Sequence, residues 1–214
     1  MQRHPIVLCA VLTLCLLGCG TGYTQQAGGP FGLHRGITPD AVINSIGHSA
    51  VKSTKADALG GAVMTVTTVP RPYPEFEEYL LIFSRKDGLL KVVAVGKDIS
   101  TSAEGTELRD RFSQLRGVLT EHYSSPENID FVKGDSDSAI AEPSNFMLSL
   151  LEKERDLSSI WPPENGAKLG DGISGIVLEA LPESLDTGFL RLSYEFDGWD
   201  DYVDKLNAAQ GSVL

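Results

Sequence analysis

Beyond position 19 the chain has no cysteine, because its three cysteines are Cys9, Cys15 and Cys19. A disulfide framework, a thiolate metal site and a cysteine nucleophile are thereby excluded from everything that follows. Positive charge is also scarce: 18 Lys and Arg stand against 29 Asp and Glu, a formal net charge of −11. Nucleic-acid binding by phosphate neutralisation needs a basic face, and adjacent pairs such as Arg85-Lys86 are too short to supply one. No nucleic-acid partner is expected, and the same acidity keeps the chain off anionic headgroups. Its long apolar run, Ile6 to Leu17 with Thr13 as the one interruption, falls short of the roughly 20 residues that span a bilayer. After that run the histidines are His34, His48 and His122, and no two share the helical spacing a zinc site uses. Neither metal nor cofactor is expected.

What is present begins with an address. Arg3 precedes the apolar run, which ends in Leu16-Leu17-Gly18-Cys19. This arrangement resembles the signal of a bacterial lipoprotein. The resemblance implies cleavage between Gly18 and Cys19, removal of residues 1–18, and acylation of Cys19, palmitate included. Two or more acyl chains hold a protein firmly in a membrane, where one holds it marginally. Gly20 is not the aspartate that retains such lipoproteins at an inner membrane, so the resemblance implies an outer membrane with the domain facing the periplasm. Ordinary secretion with cleavage near Gly20-Thr21-Gly22, or an uncleaved anchor, are the rival readings. Residues 19–32 are rich in Gly, Gln and Thr without periodicity, which predicts a flexible tether.

The most informative later stretch runs from Phe31 to Gly47. Thr38 suits an N-cap, Pro39 the first helical position and Asp40 the positive end of the helix dipole. Val42, Ile43 and Ile46 then form an apolar stripe, and Gly47 closes the short helix. The pattern Gly36, Ile37, Thr38, Val42, Gly47 resembles the opening of small outer-membrane assembly lipoproteins of the SmpA/BamE type. These share a fold with a β-lactamase inhibitory protein, which implies an α+β domain that works by contact with another protein.

Ala62 to Val69 reads as a strand, and Pro70-Arg71-Pro72-Tyr73-Pro74 as a rigid connector. Glu78–Ser84 and Leu89–Gly96 read as a hairpin turned by Asp87-Gly88. Thr106 is expected to cap a long helix whose Leu108, Phe112, Leu115, Leu119 and Tyr123 share one face. A second helix is expected from Ser144 to Ser158, with Gly134 to Ser138 a polar loop before it. Ile173–Leu181 and Phe189–Phe196 read as strands, and Trp199, Tyr202, Val203 and Leu206 as the face of a C-terminal helix. The domains expected are residues 33–100, a helix plus a three-stranded antiparallel unit, and residues 101–214, two helices, a β-hairpin and a final helix, packed as one body. The fold class is α+β: an antiparallel β-sheet, with a duplicated helix-plus-strands unit suggested, and helices packed on one face.

Several patterns imitate chemistry. Gly170-Asp171-Gly172-Ile173-Ser174-Gly175 matches GxGxxG, but β-like residues follow it where a dinucleotide fold needs a helix. Ser49-Ala50-Val51-Lys52 has the SxxK form without the partner motifs that chemistry needs. Asp197, Asp200, Asp201 and Asp204 lack the alternate-residue order of a calcium loop. No catalytic residue is therefore assigned, and an enzyme is not expected. The leading expectation is a lipid-anchored envelope protein with a protein partner, of assembly or inhibitor type. A small-ligand or lipid carrier is the alternative, requiring a pocket between sheet and helices. An enzyme would require several polar side chains converging in one cleft.

Overall fold

The computed structural model describes residues 28–133, 142–162 and 169–211. Its elements are α1 (Pro39–Ile46), β1 (Val51–Ala56), β2 (Ala62–Val66), β3 (Phe76–Ser84), β4 (Gly88–Gly96), β5 (Ile99–Ser100), α2 (Thr106–Tyr123), β6 (Glu127–Val132), α3 (Phe146–Leu151), β7 (Arg155–Trp161), β8 (Ile173–Pro182), β9 (Thr187–Phe196) and α4 (Trp199–Gly211). All the strands join one antiparallel sheet in the order β1-β2-β3-β4-β9-β8-β7-β6, with the short β5 also pairing β9. The expected α+β class with an antiparallel sheet is what the chain forms. The first half is α1 followed by β1–β4, the second is α2 followed by β6–β9 with α3 inserted between β6 and β7, and the last strands of each, β4 and β9, meet at the centre of the sheet.

Alternation along each strand separates two faces. On one, cross-strand neighbours run Met64–Leu81–Val92–Tyr194–Ile176–Trp161, and beside them Val66–Tyr79–Ala94–Leu192–Leu178–Ser159. All twelve are buried, and all but Ser159 merge with Val42 of α1, with Leu108, Phe112, Leu115 and Leu119 of α2, and with Phe146, Met147 and Leu150 of α3 into one core. The apolar stripe read for α2 is its buried face. α4 is placed differently: its Trp199 ring lies 4.6 Å from Nζ of Lys91, a residue whose pairing with Glu195 puts it on the opposite face.

The β3–β4 hairpin forms as expected. Gly88 takes φ 68°, and the Ser84 hydroxyl accepts from the Asp87 amide at 2.7 Å. Helix α1 ends where its signals place it: the Thr38 hydroxyl accepts from the Ala41 amide at 3.3 Å, and Gly47, at φ 84°, donates to Ile43 at 2.7 Å.

Elsewhere the expectations need correction. The flexible tether assigned to residues 19–32 does not extend through its last part, since Pro30–Gly32 is a 3-10 turn with Pro30 buried, and the Phe31 ring packs edge-on against Phe76, Tyr79 and Tyr194. The first unit has four strands in its meander, not three, because Val51–Ala56 pairs with β2. The helix expected from Ser144 to Ser158 stops at Leu151: Lys153 turns the chain at φ 60°, and Leu157 and Ser158 lie in β7. β6 and β7 are therefore additions to the expected second unit. Thr106 is the first residue of α2, and Gly105 holds the cap position at φ 67°. The Glu107 carboxylate takes over the end of the helix, accepting from the Ser102 amide at 2.9 Å and the Thr101 hydroxyl at 2.8 Å. The Ser102 amide first, with the Thr101 hydroxyl, stabilises the charged carboxylate and holds the Glu107 pKa below the ordinary glutamate value.

Candidate interaction surfaces

The residues singled out at the N-terminus divide into two groups. Gly18 and Cys19 lie outside the described residues, as does the loop Gly134 to Ser138. Gly36, Ile37, Thr38, Val42 and Gly47 are all placed, and each has a structural task. Gly36 donates to the Leu89 carbonyl at 3.2 Å and the Leu89 amide donates to Ile37 at 3.0 Å, so this stretch clips onto β4. The approach is close enough that a Cβ on Gly88 would stand 2.4 Å from the Gly36 carbonyl oxygen. Val42 is fully buried, Ile37 packs at the core margin, and Thr38 and Gly47 bound α1. The five do not converge on a cleft.

The chemistry-like patterns resolve in the same way. Gly170, Asp171 and Gly172 form a turn of positive-φ residues that feeds β8. Lys52 is ion-paired with Glu78, and Ser49 lies in the turn before β1. His34 Nδ1 lies 2.9 Å from the neighbouring Arg35 carbonyl, and the His122 ring stands edge-on to Tyr123 at 4.5 Å. Asp200 and Asp201 occupy the first turn of α4, where the helix dipole favours them. Among the described residues no group of three metal-ligating side chains gathers, and no helix is long and apolar enough to cross a membrane.

Two surfaces stand out. The first is the sheet face opposite α1, α2 and α3. Its cross-strand rows run Ser53–Thr65–Leu80–Val93–Ser193–Val177–Ile160–Glu127 and Glu78–Val95–Arg191–Glu179–Ser158–Ile129. The first row mixes the apolar Leu80, Val93, Val177 and Ile160 with the short polar Ser53, Thr65 and Ser193. The central charges are matched: Lys91 meets Glu195 at 2.7 Å, and Arg191 donates to Glu179 from Nε at 2.7 Å and from Nη2 at 2.9 Å. The Glu179 contact, outweighing the cost of burial, raises the Arg191 pKa further. Paired charges among apolar groups can be covered without leaving an orphan ion, whereas an unpaired one could not. Among the described residues, α4 lies over the Lys91 end of this face, and it is latched by the Tyr202 hydroxyl to the Asp57 carboxylate. Asp57 in turn accepts from the Leu59 and Gly61 amides at 2.9 Å each.

The second surface is a groove of about 790 Å³ between the sheet and α2, walled by Phe31, Tyr73, Phe76, Leu119, Tyr123 and Tyr194. At its floor, burial raises the pKa of Tyr123 and, more strongly, of Tyr194. The Tyr79 hydroxyl behind them is buried and approaches the Tyr73 backbone without reaching hydrogen-bond geometry. The sheet's wet face and the loops around Pro70 to Pro74 and Pro182 to Gly188 were the contact surfaces expected from the sequence, and a pocket between sheet and helices was what a carrier required; which side chains line each was not legible. The connector Arg71-Pro72-Tyr73 and the end of α2 were visible separately, but nothing local shows that they share a wall.

No protein-family model, no curated protein and no solved structure matches the chain.

Proposed function

We propose that the chain is a membrane-anchored bacterial lipoprotein whose folded domain is a non-catalytic protein–protein interaction module of the cell envelope, of assembly or inhibitor type. Acylation at Cys19 would tether it, on the lipoprotein-signal resemblance of residues 1–19. The observation that carries the interaction reading is the open sheet face: a broad, part-apolar surface with paired central charges that spans both halves and, among the described residues, is covered by α4 at one end. Such a face offers a rigid docking plane without an unpaired buried charge. The resemblance at Gly36 to Gly47 to SmpA/BamE-type lipoproteins supports the same class of role.

The test places a photo-cross-linking amino acid at Val93 or Val177 in the full chain, in cells, with Arg109 on the exposed side of α2 as the control position. One discrete protein adduct from Val93 and Val177, absent from Arg109, is expected. Adducts equal at all three positions, or at none, reject the reading.

A second reading is favoured by the groove beneath α2. A carrier of a small apolar ligand or lipid needs a pocket between sheet and helices, and a volume of about 790 Å³ with aromatic walls lies in the usual range for ligand sites. Val118, half-exposed at the groove wall, is the residue to change. A metabolite or lipid that co-purifies with the chain and is lost from Val118→Arg supports the carrier; retention in that variant counts against it.

A further inference from the structure

The two ends of the sheet are not alike. At one edge, β1 carries Lys52 and Lys55 and a register break between Val51 and Ser53. Edge lysines and bulges are the ordinary devices that stop a further strand from adding. At the other edge, β6 pairs with β7 without a break over all six of its residues, and its Phe131 is 55% exposed. β6 has no lysine or bulge of its own.

Its free side can be read from the ladder. The Lys133 amide donates to the Glu154 carbonyl at 2.6 Å, which makes that couple a hydrogen-bonded pair. By the alternation of antiparallel pairing, Phe131, Ile129 and Glu127 also turn their backbone groups towards β7. Asn128, Asp130 and Val132 turn theirs outward, and among the described residues no backbone partner meets them. The strand is held rigid from behind, because Asn128 accepts from Ser159 at 2.7 Å and Asp130 accepts from Arg155 at 3.0 Å.

The geometry points to β6 as the site where a second copy of this chain adds, edge to edge, so that two sheets become one. Antiparallel neighbours must point to the same face, so a two-fold axis through β6 passes through a residue rather than between two. An axis through Asp130 sets like charges opposite each other, which is unfavourable. An axis through Ile129 does not. It pairs Ile129 with Ile129, Glu127 with Phe131, and Asn128 with Asp130, the last couple supplying the backbone hydrogen bonds from the outward-turned groups. Every paired residue then lies within β6, and the contact is isologous and self-limiting. It joins the open faces of the two copies as well, since Ile129 ends one of that face's rows. This inference does not depend on the identity of any envelope partner.

Self-association has a distinctive salt response. Each copy carries a formal net charge of −11, so the copies repel at long range, and salt screens that repulsion over a Debye length of about 8 Å near 0.15 M. Pairing should strengthen as NaCl is added, the reverse of what an oppositely charged partner would show.

The test uses the full chain, solubilised in detergent, in which any cysteine introduced after Cys19 is the only one in the fold. Ile129 sits across from its own copy in a non-hydrogen-bonded pair, with Cα atoms about 4.5 Å apart, close enough for a disulfide. Ile129→Cys under mild oxidation is expected to give a covalent dimer, more of it as NaCl rises. Thr54→Cys on β1 and the unsubstituted chain should give only background. Phe131→Cys alone should also stay at background, while Glu127→Cys combined with Phe131→Cys should link. Protease resistance of each variant reports that it is folded. A folded Ile129→Cys chain that links no more than Thr54→Cys overturns the proposal, as does linkage by Phe131→Cys without Ile129→Cys, or linkage that falls with added salt.

Discussion

Arg191 and Glu179 face each other across β9 and β8 and are joined by two parallel hydrogen bonds, at 2.7 and 2.9 Å, in the middle of the open sheet face. Because Arg191 remains 41% exposed, solvent weakens the pair, and a coupling energy of about 1 kcal/mol is expected. A double-mutant cycle with Arg191→Met and Glu179→Gln, followed by urea unfolding, measures it. A coupling near zero would show that the pair orders the surface without stabilising the fold.

The latch between Tyr202 and Asp57 carries a pH signature. Burial first, and the Asp57 carboxylate second, raise the Tyr202 pKa far above its ordinary value of 10.0. The protonated phenol is therefore favoured in the folded state. Its contribution is complete below pH 10, the unfolded value, and is lost as the pH climbs through the folded one. Tyr202→Phe should destabilise the protein by about 1 kcal/mol at neutral pH and flatten this alkaline loss. Hydrogen exchange should show α4 opening more readily while the amides of β9 stay protected.

Gly88 and Gly36 separate crowding from backbone strain. Both have positive φ, at 68° and 83°. A Cβ on Gly88 would strike the Gly36 backbone at 2.4 to 2.8 Å, whereas one on Gly36 meets only the Asp87 oxygen at 3.5 Å. Gly88→Ala is expected to cost about 3 kcal/mol, and Gly36→Ala about 1 kcal/mol, the strain alone. Thermal or urea unfolding of the two variants checks the order. Equal losses would mean that the hairpin shifts away from the contact.

Cys19 governs processing on the lipoprotein proposal. Cys19→Ala should leave the precursor uncleaved, with Gly18 still attached, and removal of residues 1–19 should give a folded, soluble domain. Mass spectrometry of the N-terminus decides the first. A native chain recovered unacylated, with a free N-terminus beyond Cys19, rules out the anchor.

Local signals carried much of the fold and little of the candidate site. Thr38 and Pro39 marked the start of α1, Asp87-Gly88 the hairpin, and the spacing of Leu108, Phe112, Leu115, Leu119 and Tyr123 the buried face of α2, because each depends on residues within one turn or one helix. The strands that were missed lack this kind of signal. Val51–Ala56 and Glu127–Val132 are edge strands with two half-buried positions each and none fully buried, so their alternation is faint. Phe146 to Leu157 holds apolar residues at helical intervals, but the φ of 60° at Lys153 depends on where the chain goes next, not on its own composition. The surfaces were less legible still. Lys91 meets Glu195, and Phe31 meets Tyr194, across separations that no window of sequence spans.

The seam between β4 and β9 sets an order for events on the ribosome. Lys91 and Glu195 are 104 positions apart, so β4 is synthesised long before the strand that covers it. At about 5–20 residues per second, the half sheet β1–β4 would wait several seconds with Leu89-Leu90-Lys91-Val92-Val93-Ala94-Val95 as an uncovered border. That segment is rich in β-branched residues and has a single charge, the composition that recruits other nascent strands. The strand that finally lies at the centre of the sheet is thus the one most in need of a chaperone while the chain is being made.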